Sequence, residues 1–271
     1  MNELQELGHP EDIDYSAGSP HLKHRQLYEW VLSELRQSLG GLSARGVPWT
    51  VLDVGAGHGS FTEPLLAYGC QVTATEMSRP SLHWMESRYR TNPRFKAVLE
   101  TDQGAQELRE QRFGLVLFAS VLHHIPDYGA ALEIAADRLL PGGALVTVQD
   151  PTWYPRTPEA VRAISDFAYM SWRISRGAYV RGIRTRIRRA RGVWDEGNSS
   201  DMVEYHVVRQ GVDEEAIAQM LGNRFADVRV VRYWSTQSGL WQRIGQRLHL
   251  KNTFALIATD RVPDAHPGDH N

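Results

Sequence analysis

The 271-residue chain sets 30 Lys and Arg against 32 Asp and Glu, a formal net charge of −2, with 42% hydrophobic residues. That length holds one large α/β core with an added lobe, and the near-balanced charge excludes any global attraction to nucleic acid or a membrane surface. A single cysteine, Cys70, excludes an intrachain disulfide; with no bilayer-length apolar run and no signal-peptide apolar region in MNELQELGHPEDID, a cytoplasmic protein is expected.

Residues 1 to about 20, rich in Gly, Pro, Ser and acidic side chains, are expected to form an arm. From His21 to Leu39, Leu27, Val31 and Leu35 recur every four residues and predict one face of a helix, which Gly40-Gly41 should end. This helix is expected to pack on the domain that follows, and its apolar face also offers a pairing surface for a homodimer. Next comes VLDVGAGHGS, an apolar strand (Thr50–Val54) running into a glycine-rich turn, with a helix predicted from Phe61 to Tyr68. Strand, turn and helix in that order open a nucleotide-binding α/β domain, where missing Cβ atoms let the backbone approach a ligand. The spacing is Asp-x-Gly-x-Gly-x-Gly. It is neither the G-x-G-x-x-G of a dinucleotide site, which disfavours a dehydrogenase, nor a P-loop, which requires Gly-Lys-Ser/Thr. A cofactor without phosphates fits, and S-adenosylmethionine is the one it points to.

Further strands are predicted at Gln71–Glu76, Phe95–Leu99, Gly114–Ala119 and Ala144–Gln149, with helices between them. The clearest helix is Gly129–Leu140, stopped by Pro141-Gly142-Gly143. Such alternation predicts right-handed βαβ units and a parallel sheet. Residues 151–211 show helical periodicity without a convincing strand. Asp213 then N-caps a helix to Leu221, strands follow at Ala226–Tyr233 and Thr253–Thr259, and 261–271 is predicted to be a disordered tail. The expected fold is α/β: a Rossmann-like, doubly wound, mostly parallel seven-stranded sheet with an N-terminal helical extension (1–45) and a helical substrate-binding insertion after strand 5 (151–211). The cofactor domain comprises 46–150 and 212–260.

DVGAGHG at 53–59, Glu76 closing the second strand and LLPGG at 139–143 together resemble the class I S-adenosylmethionine-dependent methyltransferases of the small-molecule, natural-product type. The likeness is strong over roughly 45–150 and weak over the closing helix and strands. Gly55, Ala56 and Gly57 would lie along the methionyl and ribosyl parts of the cofactor, and Asp53 would engage its ammonium directly or through water. Glu76 would accept the ribose hydroxyls; its alternative role is to cap the helix starting near Ser78. The resemblance implies an acidic residue after the third strand for the adenine amine. Asp102 with Gln103 is the choice and Glu100 the competitor, while Met77 would pack on the adenine or simply in the core. The loop from Ser120 to Asp127 would run beside the methionine end and the transferring methyl. Phe113-Gly114 departs from the family's Phe-Asp at the start of the fourth strand.

A sulfonium methyl is already electrophilic, so the protein must supply alignment, desolvation and sometimes a base. His123 and His124 occupy the right loop, as base or as pocket-shaping residues, with His124 favoured to face the acceptor. Glu204-Tyr205-His206 near the end of the insertion forms a second acid–phenol–imidazole group, with Tyr205 a substrate contact and His206 a catalytic candidate. Tyr15 and His24 come from the region that in related enzymes closes over the cofactor. Trp153 and the other insertion aromatics would wall an apolar pocket or pack the lobe. Arg184 stands for a dense arginine run from Arg173 to Arg191, either a solvated face or a site for an acidic substrate.

The expected function is transfer of a methyl group to an oxygen, nitrogen or carbon of a small molecule in bacterial secondary metabolism, releasing S-adenosylhomocysteine. An RNA methyltransferase is the second class: the arginine run favours it, while overall charge and the lack of Asn/Asp-Pro-Pro-Tyr or a catalytic cysteine oppose it. A cyclase or other non-methylating protein on the same fold is the third. No metal, nucleic acid or membrane partner is expected.

Overall fold

The computed structural model describes residues 19–101, 105–175 and 211–263. Seven strands form one sheet: β1 (Thr50–Val54), β2 (Gln71–Glu76), β3 (Phe95–Leu99), β4 (Phe113–Ala119), β5 (Leu139–Pro151), β6 (Phe225–Tyr233) and β7 (Thr253–Arg261). Their spatial order is β3-β2-β1-β4-β5-β7-β6. The pairs among β1 to β5 are parallel, and β7 is antiparallel to both its neighbours, β5 and β6. The order reverses between β1 and β4, so the ligand crevice belongs at the carboxyl ends of those two strands.

Alternation along the strands feeds two cores. Leu52, Val116, Phe118 and Leu145 turn to one face with Leu132 of α5 (Tyr128–Asp137) and Ile217 and Leu221 of α7 (Glu214–Gly222). Val51, Leu115, Leu117 and Val146 turn to the other, against α2 (Arg25–Ala44) and Leu65 of α3 (Thr62–Ala67). Val31, Leu35, Leu39 and Leu42 of α2 are all buried there. The face considered for homodimer pairing is therefore taken up within the chain.

Several predicted boundaries move. His24 breaks the first helix into α1 (Pro20–Lys23) and α2, its extended backbone (φ −98, ψ 103) ending one and capping the other. Gly40-Gly41 does not stop α2. Leu42 continues the apolar stripe for another turn, and the left-handed residue that ends the helix is Gly46, φ +68. α5 ends at Asp137, before Pro141, because β5 already pairs with β4 from Leu139. β7 runs through Arg261, which is buried and donates to the Ala136 carbonyl at 2.7 Å; position 261 is thus strand and not tail.

The departure at Phe113-Gly114 has a steric cause. A Cβ on Gly114 would sit 2.1 Å from the Pro48 carbonyl oxygen, and the Gly114 N–H donates to Thr50 Oγ1 at 2.9 Å. The backbones of the β1 approach and β4 touch where the family's aspartate would need room.

The insertion leaves the sheet at Thr152 and returns at Val212, where the two form an isolated bridge and Val212 N–H donates to the Pro151 carbonyl. Within it lie a 3-10 turn (Tyr154–Arg156) and α6 (Glu159–Ser175). Buried Glu214 accepts from Trp153 N–H, Arg156 and Arg232, which ties the start of the insertion to the start of α7. Among the described residues no helix is long and apolar enough to cross a membrane.

Candidate active site

The turn after β1 places Gly55, Gly57 and Gly59 at φ +63, +57 and +76, a left-handed region that favours glycine. Gly55 is also packed shut: a Cβ there would lie 2.8 Å from Val121 Cγ2. A Cβ on Gly57 would meet nothing within 4 Å, so its missing side chain leaves open space in the turn. Ala56 N–H is bound to the Thr75 carbonyl at 3.0 Å, which ties the turn to β2.

Asp53 is 1% exposed, and Thr62 Oγ1 donates to its Oδ2 at 2.7 Å. Burial, opposed by the Thr62 hydrogen bond and helped by the charge of Glu76, pushes the carboxyl up to about 7. A buried carboxylate in this state gains from a nearby cation. Glu76 stands half-exposed at the end of β2. Its Oε2 accepts from Gly57 N–H at 2.8 Å, and its Oε1 from Met77 and Ser78 N–H, both at 2.9 Å. The cap of the helix that follows, α4 (Arg79–Tyr89), is the Ser78 hydroxyl, which accepts from Ser81 N–H. Glu76 therefore bridges the glycine turn to the start of that helix, and the one acceptor site its carboxylate keeps, on Oε2, can take a ribose hydroxyl. Glu100 is tied to Thr75 Oγ1 at 3.1 Å and pushed up by burial and the Glu76 charge. A buried acid, an open left-handed glycine and an acceptor carboxylate fit the ammonium, backbone and ribose of S-adenosylmethionine.

On the other side of the crevice, the ends of β4 and β5 carry two non-glycine residues with positive φ: Ser120 at 62° and Gln149 at 69°. Such backbones are strained by about 1–3 kcal/mol each and persist only when their surroundings hold them. Here Ser120 N–H donates to the Val148 carbonyl at 2.8 Å, while the Tyr233 hydroxyl accepts from Gln149 N–H at 3.0 Å. Gln149 Nε2 also donates to Ser235 Oγ at 2.7 Å. The β5 register shifts between Val148 and Asp150, and this irregularity brings Asp150 beneath the 3-10 turn Leu122–His124.

Asp150 is fully buried. Its Oδ1 accepts from His123 Nδ1 at 2.7 Å and from His123 N–H at 3.2 Å. The His124 ring lies 4.0 Å from that of His123. His21, on α1, is 4% exposed and stacks on Phe61 at 5.6 Å. Burial, with a smaller push from the charge of His123, lowers His21 to about 4. His24, also from the N-terminal region, is turned to the Thr236 carbonyl at 2.7 Å. The Trp153 ring lies under the Arg156 guanidinium, 4.6 Å from its centroid.

The structure thus gathers Asp53, Gly55, Ala56, Gly57, Glu76 and Met77 on one side of the switch point, and Ser120, His123 and His124 on the other. Tyr15, Asp102, Gln103, Arg184, Tyr205 and His206 lie outside the described residues. Asp150 and His21 were not anticipated. For Asp150 the available signal was a carboxylate at the end of a mostly apolar strand. For His21 there was none beyond its place at the head of a helix.

Residues 52–147 match the methyltransferase domain family. The chain is 32% identical over 120 residues to the ubiquinone biosynthesis O-methyltransferase of Alkalilimnicola ehrlichii, covering 42% of this chain and 45% of that protein. It therefore spans less than half the length of this curated relative. Among solved structures, it is similar to the N-methyltransferase NodS from Bradyrhizobium japonicum bound to S-adenosylhomocysteine, at 17% identity, 97% of each chain and a TM-score of 0.49. It is also similar to the glycopeptide N-methyltransferase MtfA bound to the same molecule, at 26% identity, 48% of this chain, 50% of that one and a TM-score of 0.37.

Proposed function

We propose that this chain, whose residues 52–147 match the methyltransferase domain family, is a class I S-adenosylmethionine-dependent methyltransferase that methylates a hydroxyl group of a small molecule with His123 as general base. The observation that carries the reading is the 2.7 Å contact between His123 Nδ1 and the fully buried Asp150. S-adenosylmethionine, when bound, supplies an electrophilic methyl on a sulfonium. Asp53 would hold its ammonium and Glu76 a ribose hydroxyl, while the open turn at Gly57 admits it close to the backbone.

With Nδ1 directed at Asp150, Nε2 is the ring nitrogen that takes a proton from the acceptor. Asp150 fixes that tautomer and stabilises the imidazolium that results. His124, favoured in sequence to face the acceptor, packs on His123. The buried carboxylate on Nδ1 is what favours His123 as the base. The curated relatives' name, O-methyltransferase, supports oxygen over nitrogen or carbon. The acceptor's place in bacterial secondary metabolism, and an acidic acceptor met by Arg184, belong to this proposal on sequence grounds.

The test is methyl transfer from labelled S-adenosylmethionine to a probe panel of mono- and dihydroxybenzenes, aliphatic and aromatic amines, and bulk RNA. Label in a hydroxyl-bearing probe, reduced at least tenfold by His123→Ala with unchanged S-adenosylhomocysteine affinity, supports the reading. Label only in RNA or amines overturns it, as does cofactor binding without release of S-adenosylhomocysteine from any probe.

A further inference from the structure

The cofactor's methionine end carries two charges on one carbon, and the acid Asp53 answers only the ammonium. Wherever Asp53 holds the amine, the carboxylate lies within about 4 Å of it, since both groups hang on the same carbon. A buried carboxylate must be paired or hydrogen-bonded. Among the described residues the one buried Lys or Arg is Arg261, at the opposite edge of the sheet on the Ala136 carbonyl. The donor must come from elsewhere.

We propose that His21 of α1 binds the cofactor's carboxylate through its ring N–H. The inference rests on the methyltransferase reading of the site and extends it to a residue outside the sheet. Three observations place His21 there. Its ring stacks on Phe61, and the next residue, Thr62, is the one that holds Asp53. The charge of His123 adds to the burial that lowers His21. Its Nδ1 is buried and has no hydrogen-bond partner, a state that disfavours itself by about 1–3 kcal/mol unless a ligand relieves it.

The helix that carries His21 is pinned independently of any ligand. Lys23 Nζ donates to the Gln237 carbonyl at 2.8 Å, and His24 bonds the Thr236 carbonyl at 2.7 Å. These contacts hold the four residues of α1 against the segment after β6, with the His21 ring on Phe61. A neutral imidazole suits this position, since it donates to an anion without adding a second buried charge beside His123.

The experiment compares two ligands by calorimetry: S-adenosylhomocysteine and its decarboxylated analogue, which keeps the amine. Three proteins are used. His21→Phe preserves the ring stack on Phe61 and deletes the N–H; His21→Gln returns a donor. The wild type is expected to prefer the carboxylated ligand by about tenfold to a hundredfold, the scale of one charge-assisted hydrogen bond. In His21→Phe that ratio should fall towards one with affinity for the decarboxylated analogue unchanged, and His21→Gln should restore part of it. Equal weakening of both ligands, or a preference that survives His21→Phe, overturns the inference and leaves the cofactor site standing. Failure of the wild type to bind either ligand overturns the methyltransferase reading as well.

Discussion

Asp150→Asn isolates what a buried carboxylate does for His123. The replacement has nearly the same shape, and both bonds from His123, at 2.7 and 3.2 Å, can in principle be remade by the amide oxygen. What disappears is the charge. A hydrogen bond to a charged group contributes about 1.5–3 kcal/mol and a neutral one about 0.5–1.5, so the imidazolium formed on proton transfer loses about 1–2 kcal/mol. That alone lowers kcat by roughly fivefold to thirtyfold. If the amide presents its NH2 to the ring, the proton moves to Nε2 and the base is the wrong tautomer, a larger loss of the kind worked through for the serine-protease triad. The expected outcome is a fall in kcat of at least about fivefold. Affinity for S-adenosylhomocysteine should be unaltered. Steady-state kinetics across pH, calorimetry and a thermal melt together read these quantities. A kcat within twofold of wild type would show that Asp150 merely supports the loop, and the general-base reasoning would fail.

Asp53 makes ligand binding depend on pH. Its folded value of about 7 lies above the ordinary 3.8, so its contribution to stability is fully present below 3.8 and is lost as pH rises through 7. The loss is about 4 kcal/mol at most. Ligand-free wild type should therefore lose more stability between pH 5 and 8 than Asp53→Asn, while S-adenosylhomocysteine affinity should climb with pH only in the wild type; parallel melts and titrations check both. Gly57→Val places a β-branched side chain at φ +57 in open space. The fold should weaken by about 1–2 kcal/mol while calorimetry shows cofactor binding abolished. Gly114→Ala drives a methyl to 2.1 Å from the Pro48 oxygen. Denaturant unfolding should show a loss exceeding about 2 kcal/mol, and a neutral result would mean the β1 approach yields more easily than its backbone packing implies.

Local chemistry makes the cofactor half of the site legible in the chain itself. The Asp-x-Gly-x-Gly-x-Gly turn, Glu76 at a strand end and the strand–helix alternation are all encoded within short windows, because backbone dihedrals, glycine tolerance and hydrophobic period act over neighbouring residues. The parallel pairs of the sheet follow from the same alternation. Where windows mislead, a distant contact overrides them. Gly40-Gly41 stays helical because Leu42 finds the core, and position 114 has no room for a side chain because the Pro48 carbonyl lies against it.

The acceptor half depends on the tertiary structure. Asp150 becomes the partner of His123 only because Gln149 adopts φ 69°, a conformation upheld by Tyr233 and Ser235 more than eighty residues later in the chain. His21 is held on Phe61 while its neighbours Lys23 and His24 are anchored on the Thr236–Gln237 carbonyls, over two hundred residues away. Sequence predicts which atoms a ligand's sugar and amine would meet, since those groups share one turn and one strand end. Which imidazole is paired with a carboxylate, and which is left buried with an unsatisfied nitrogen, was decided by long-range packing. No local period or motif records that information.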